Sequence, residues 1–266
     1  MAFEHIRFEI SDGVAYLTMS RPDCLNAVSI QMVEEMDRAL DEFDNPETEA
    51  RCLLLTGEGR GFSSGADLSA GGLPSSNDGR PFDAGLVLER HYNPLIERLA
   101  TLPVPFISAV NGVAAGAGMS FALAADIVVA SQSAYFLQAF VNIGLVPDAG
   151  STYFLPRLVG NARATALMML GEKLSAEKAA EWGLIYQVVE DDALEATAKD
   201  LAQKLSNGPT KALGLIRDMA HSSIDNDLST QLRLERVAQR KASGSSDFVE
   251  GVSAFLQKRK ASFTGN

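Results

Sequence analysis

One carboxylate stands out by its setting. The stretch NIGLVPDAGSTYFLP, Asn142 to Pro156, is apolar and rich in glycine and proline, and its single carboxylate is Asp148. The rest of the segment reads as a buried wall. An Asp in such a loop has two ordinary occupations: closing an Asx-turn or capping the helix that AGSTYFLPRLVG can open. A third is chemical, because a carboxyl among apolar neighbours is desolvated and its proton is held more tightly. Two glycine-rich turns are the other candidates. GRGFSSGADLS (59–69) follows the apolar run RCLLLTG, and NGVAAGAGMSFALAADI (111–127) follows VPFISAV. Small residues at a strand end leave backbone N–H groups exposed, and such donors can hold negative charge. Two of these turns brought together would form an oxyanion hole. Close helix–strand packing explains the glycines equally well.

Other reactive residue types are sparse. The three histidines, His5, His91 and His221, lack metal-ligand spacing. His91 alone falls in a plausible cleft region, where a packing role is the plainer reading. The two cysteines, Cys24 and Cys52, form no CxxC pair, so neither a disulfide framework nor a zinc site is expected. No metal is implied.

The elements that must carry these groups alternate. GVAYLTMS reads as a strand, and VSIQMVEEMDRALDEFDN has apolar residues at helical spacing. RCLLLTG and VPFISAVNGVAA read as buried strands, YNPLIERLATL as a helix, and FALAADIVVASQ as helix then strand. This β-α-β progression predicts an α/β fold with a largely parallel sheet. The polar segment between Ser69 and Leu86 reads as a long loop of the kind that forms lids. After about Ser175 long helical patterns dominate, ending in the basic tail FLQKRKASFTG. The 266 residues carry a formal net charge of −11, which argues against nucleic acid as a partner. There is no apolar run of membrane-spanning length and the first residues alternate like a strand, so a cytoplasmic protein is expected, with no membrane partner.

Taken in order, SRPDCLNAVS, GFSSGADL, NGVAAGAG, DIVVAS, IGLVPDAGSTYFLPRLVG, GEKLSAEKAAEWGLIYQVV and the closing FLQKRK resemble the crotonase (enoyl-CoA hydratase/isomerase) superfamily over essentially the whole chain. The resemblance implies a crotonase-type ββα spiral core over residues 1–192 and a C-terminal α-helical oligomerisation region over 193–266. It implies an acyl-CoA substrate, CoA as part of that substrate with no separate cofactor, and a homotrimer or dimer of trimers. By motif position Ala66 and Ala117 would donate their N–H groups to the thioester oxygen, among Ser64, Gly65, Asp67, Leu68 and Gly116. Leu25 and Ala27 would face the adenine side of CoA, Lys258 or Arg259 would meet phosphate, and Phe263 would pack near the adenine.

The superfamily's hydratases position water with two glutamates. At those places this sequence has Ser120 and Phe140, neither of which can act as a general base. Asp148 remains, and one acid that removes a proton at one carbon and returns it at another is what an allylic isomerase needs. The local sequence, including LERHYNPLIERLA, is most similar to the phenylacetate-degradation isomerases, which act on ring-epoxidised phenylacetyl-CoA. Phe136, Phe140 and Tyr153 would then be pocket walls or simply core aromatics. Other readings stay open. One is an enoyl-CoA hydratase with an atypical site. Another is an aryl-CoA dehalogenase using Asp148 as nucleophile; it is disfavoured because Phe140 and Asn93 stand where Trp and His would. The last is a non-catalytic acyl-CoA-binding homologue.

Overall fold

The computed structural model describes residues 3–69 and 83–266. Most of the 69–86 segment read as a lid therefore lies outside the described residues.

The strands are β1 (Ile6–Ser11), β2 (Val14–Met19), β3 (Cys52–Gly57), β4 (Gly61–Ser63), β5 (Phe106–Val110), β6 (Val113–Ala115), β7 (Ile127–Ser131), β8 (Tyr135–Leu137), β9 (Lys173–Ser175) and β10 (Gln187–Val189). They make two sheets, ordered β1-β2-β3-β5-β7-β10 and β4-β6-β8-β9. The long sheet is parallel apart from the β1–β2 hairpin, whose turn residues Asp12 and Gly13 both have positive φ, as a tight two-residue hairpin turn requires. The short sheet is parallel from β4 to β8 and antiparallel at β9. The chain moves from one sheet to the other and back: β3 leads to β4, β5 to β6 and β7 to β8. What reads in the sequence as one strand, VPFISAVNGVAA, is thus two strands in different sheets, separated at Asn111–Gly112. A Cβ on Gly112 would lie 2.3 Å from the Arg60 carbonyl oxygen, so only glycine allows the chain to turn there.

The helices are α1 (Ile30–Leu40), α2 (Ala84–Val87), α3 (Asn93–Ala100), α4 (Ala117–Leu123), α5 (Ser151–Val159), α6 (Asn161–Leu170), α7 (Ala176–Glu181), α8 (Leu194–Ser206), α9 (Thr210–Ser223), α10 (Leu228–Ser243) and α11 (Ser246–Leu256). A π-helical turn, Leu88–Tyr92, joins α2 to α3. The main core lies between the two sheets and α1, α3, α4 and α5, around Leu17, Met36, Leu55, Phe62, Phe106, Phe121 and Phe136. A second apolar layer forms on the other face of the long sheet, where Leu194, Ala198 and Ala202 of α8 cover Val14, Cys52, Leu54, Ile107 and Val129. Strands buried on both faces explain the continuous apolar runs of β3 and β5. Burial also pushes the Cys52 thiol up to about 12, which keeps it protonated and inert.

α9 is anchored by Arg217. Its buried guanidinium donates to the carbonyls of Leu99, Ala100 and Leu102 at the end of α3, and pairs with Asp126 at 2.7 Å. Asp126 also accepts from Phe106 N–H at the start of β5.

Candidate active site

The ends of β4 and β6 are neighbours in register, Gly61 with Val113 and Ser63 with Ala114. Each strand runs into one of the glycine turns, and the two turns touch. A Cβ on Gly65 would sit 2.9 Å from the Ala115 carbonyl oxygen, and one on Gly116 would be 3.9 Å from Gly65 Cα. Both glycines have positive φ, 99° and 50°. The glycines therefore do two things here: they permit the backbone conformation and the close approach.

The first turn is braced from the side. Val28 N–H donates to Gly65 C=O and Asp67 N–H donates to Val28 C=O, a bridge that leaves the N–H of Ala66 between them pointing away. Leu25 and Asn26 adopt left-handed conformations, so segment 24–28 lies along 63–67. Ser64 N–H donates to Leu25 C=O, and the Ser63 hydroxyl to Asn26 C=O. The fully buried Asn26 side chain donates to Glu58 and Gly61 carbonyls and accepts from Arg21 N–H. The second turn opens α4, with Ala117 as its first helical residue. Neither Ala66 N–H nor Ala117 N–H meets an acceptor among the described residues. Two neighbouring amides without partners can stabilise a developing oxyanion.

Asp148 lies beside the second turn. The Ser120 hydroxyl, one helical turn beyond Ala117, donates to the Asp148 backbone carbonyl at 3.2 Å. The carboxylate does not cap α5. That duty falls to backbone, with Ser151 N–H donating to Asp148 C=O, and Gly150 as the cap residue offers no side chain. Instead Asp148 Oδ1 is buried with no hydrogen-bond partner among the described residues, and burial pushes the carboxyl up to about 6. Tyr92 stands near: its phenol is pushed up by burial and then by the charges of Asp148 and Asp67, and it donates to Val28 C=O. Phe140 closes the other side, its ring tip 3.7 Å from where a Gly116 Cβ would be.

A family model described as enoyl-CoA hydratase/isomerase matches residues 9–266. The chain belongs to that family. It is 50% identical over 98% of its length, and 99% of the relative's, to the 1,2-epoxyphenylacetyl-CoA isomerase of Escherichia coli K12. It is 44% identical, over the whole of both chains, to a probable enoyl-CoA hydratase of Rhodobacter capsulatus. Among solved structures, a putative enoyl-CoA hydratase from Streptomyces coelicolor A3(2) superposes with a TM-score of 0.91 at 35% identity, covering 100% of this chain and 96% of the other. The fold is the crotonase spiral.

Of the residues singled out in the sequence, the structure brings Leu25, Ala27, Ser64, Gly65, Ala66, Asp67, Gly116, Ala117, Phe140 and Asp148 together around the two turns, with Leu68 exposed next to Asp67. Asp67 has a fixed partner. Hydrogen bonding to Ser69 first, then to Arg21, holds its carboxyl below the usual range. Lys258 and Phe263 are placed elsewhere in the chain. The tail folds back on α11, where Phe263 packs 3.5 Å from the Cβ position of Gly251 in an apolar cavity of about 440 Å³ with Phe248 and Phe255. Arg51, reaching from the foot of β3, donates to the Phe263 carbonyl. Two expectations need correction. The run Val141–Val146 is exposed, Val146 by 78%, so it is not a buried wall. Tyr153 is exposed too, with the Arg157 guanidinium 3.7 Å over its ring, and so is not a core aromatic. His91 faces Glu34 at 3.5 Å. Among the described residues there is no cluster of side chains able to hold a metal ion, and no helix long and apolar enough to cross a membrane.

Tyr92, Ser151 and Gln138 escaped the sequence reading. Each sits in an ordinary helical or strand-end pattern, and only the fold brings it to Asp148. For Tyr92 the one available signal is the proline two residues on, in HYNP, which marks an irregular turn.

Proposed function

We propose that the chain is an acyl-CoA isomerase that shifts a double bond, or opens a ring epoxide to an oxepin, through a thioester enolate with Asp148 as the acid and base. One observation carries this reading: among the described residues, a buried carboxylate oxygen without a partner lies beside two amide turns whose donors are unengaged. The thioester oxygen accepts from Ala66 and Ala117 N–H. Asp148 takes a proton from the carbon chain, the electron pair delocalises onto the thioester oxygen, and the same carboxyl returns the proton at the other end of the conjugated system. Atoms balance in the double-bond shift, and no water enters; with the ring epoxide, the C–C bond between the two epoxide carbons also breaks as the ring electrons redistribute, again with no change of composition. A carboxyl with a proton affinity near neutrality suits both halves of this exchange. Ser120 occupies a water-ordering position of the hydratases with a hydroxyl already committed to protein oxygens, which disfavours hydration. The identity to the E. coli 1,2-epoxyphenylacetyl-CoA isomerase supports a ring-epoxide thioester as substrate, in aromatic degradation.

In the same proposal the CoA passes Leu25 and Ala27; Lys258 and Phe263, which this chain places in the tail after α11, would meet its phosphate and adenine side only across the interface of the proposed oligomer. CoA arrives as part of the substrate. Residues 193–266 supply the assembly surface of a homotrimer or dimer of trimers in the cytoplasm.

The test offers a cis-3-enoyl-CoA, a trans-2-enoyl-CoA and the ring-epoxide thioester to wild type and Asp148→Asn, and follows migration, ring opening and hydration separately. Migration or ring opening should dominate and fall about a hundredfold in the variant. Predominant hydration, or full activity in Asp148→Asn, overturns the mechanism.

A further inference from the structure

The carboxylate of Asp148 is held by no side chain: among the described residues none donates to it. Its aim therefore depends on its backbone, and that backbone is unusual. Ala149 has φ 47° although it carries a Cβ, and Gly150 follows at 85°. A non-glycine residue in the left-handed region persists only where its surroundings over-determine it. Here the Asp148 carbonyl accepts twice, from Ser151 N–H at 2.9 Å and from the Ser120 hydroxyl at 3.2 Å.

The hydroxyl donor belongs to a buried chain. Ser120 Oγ lies 2.6 Å from Ser151 Oγ, and Gln138 Nε2 donates to Ser151 Oγ at 3.3 Å. All three residues are fully buried. Each hydroxyl has one proton, so if Ser120 donates to Asp148, Ser151 donates to Ser120 and accepts from Gln138. The directions agree from end to end. Two other acceptors lie in reach of Ser120: the Gly116 carbonyl at a longer 3.4 Å, and Ser151 Oγ itself, but a bond in that direction would leave the Ser151 proton without an acceptor among the described residues. Because Gly116 C=O and Ala117 N–H share one peptide unit, Ser120 stands between an oxyanion donor and the acid.

We propose that Ser120 is a positioning residue for Asp148, holding the Asp148–Gly150 turn so that the carboxylate faces the substrate, with Ser151 and Gln138 fixing the direction of its hydroxyl. The inference rests on Asp148 being the acid/base. It also gives this position a task unlike that of a water-ordering carboxylate: the hydroxyl acts on the backbone of the base and never touches the substrate.

The test is a double-mutant cycle on the full-length protein with the thioester that gives turnover, comparing wild type, Ser120→Ala, Asp148→Asn and the double variant. Ser120→Ala is expected to lower kcat about tenfold, the usual scale for a supporting group, with KM within about twofold. In the Asp148→Asn background it should change nothing further. Multiplication of the two losses in the double variant means that Ser120 acts through the hole or through general packing, and overturns the proposal. So does full activity of Ser120→Ala. Should Ser120→Ala not fold, the same cycle with Ser151→Ala decides by the same criterion. Full activity in Asp148→Asn alone removes the underlying mechanism, an outcome distinct from failure of the coupling.

Discussion

Replacing Asp148 with asparagine should make the protein more stable while disabling it. The native carboxyl has been pushed from an ordinary 3.8 to about 6 by burial. Its native value lies above its unfolded one, so the ionised form is penalised in the folded state. The penalty is complete above about pH 6, shrinks as the pH falls through 6, and vanishes below the unfolded value. At about 1.4 kcal/mol per pH unit the full difference is about 3 kcal/mol. Asp148 is only half-buried, and solvent screening trims this to about 1–2 kcal/mol. Asparagine has the same shape and no charge. Urea unfolding of wild type and Asp148→Asn at pH 8 should therefore show the variant more stable by about 1–2 kcal/mol, and at pH 4.5 the gain should drop to about a third of that. The difference between the two proteins isolates this one group from the many other carboxylates that titrate in acid. A variant no more stable at pH 8, or a gain that does not shrink in acid, refutes the claim that burial strains this carboxylate. Stability traded for a poised acid is a known signature of active sites.

Three further outcomes follow from the geometry. The rate kcat/KM should rise with pH through about 6 as Asp148 ionises into its basic form, and this limb should be missing from the residual rate of Asp148→Asn; a limb that survives assigns it to another group. Gly65→Ala puts a Cβ 2.9 Å from the Ala115 carbonyl at φ 99°, so it should separate the two amide turns and lower kcat/KM by about a hundredfold or more; near-wild-type turnover would disprove the two-turn hole. Arg217→Leu leaves three carbonyls at the end of α3 and the Asp126 carboxylate without their shared partner, and should cost about 3–5 kcal/mol in denaturant melts.

The sequence made the site's chemistry more legible than its surroundings. Asp148 announces itself as a charge among apolar neighbours, and the two glycine turns as breaks after continuous apolar runs, because desolvation and close approach both leave marks in residue type. The two-sheet arrangement left fainter marks. β4, β6, β8 and β9 are three residues each, too short for any periodicity to register, so VPFISAVNGVAA passes for one strand. The exposed run Val141–Val146 misleads in the opposite way: hydrophobicity reports what a segment would prefer to touch, and among the described residues Val141, Ile143, Leu145 and Val146 remain largely exposed. The Ser120, Ser151 and Gln138 chain was invisible since serine and glutamine are unremarkable anywhere in a sequence, and three distant elements, α4, α5 and the residue after β8, must converge before they mean anything. The positive φ of Leu25 and Asn26 was equally hidden, leucine being among the residues least expected there.

The pairing of β4 with β6 acts as a ruler. Ser63 is in register with Ala114, and the two candidate oxyanion donors, Ala66 and Ala117, each lie three residues further along. The strand pairing, with adjacent strands about 4.8 Å apart, thus brings the two turns together, and the backbone bridge of Val28 and the Asn26 and Ser63 side chains hold the first in place. The side chains of Phe140 and Asp148 lie beside these turns without supplying the donor groups themselves. A scaffold built this way divides labour cleanly. In the proposed mechanism the oxyanion donors belong to the backbone and the acid to a side chain, so a single substitution can change the acid while the donors keep their place.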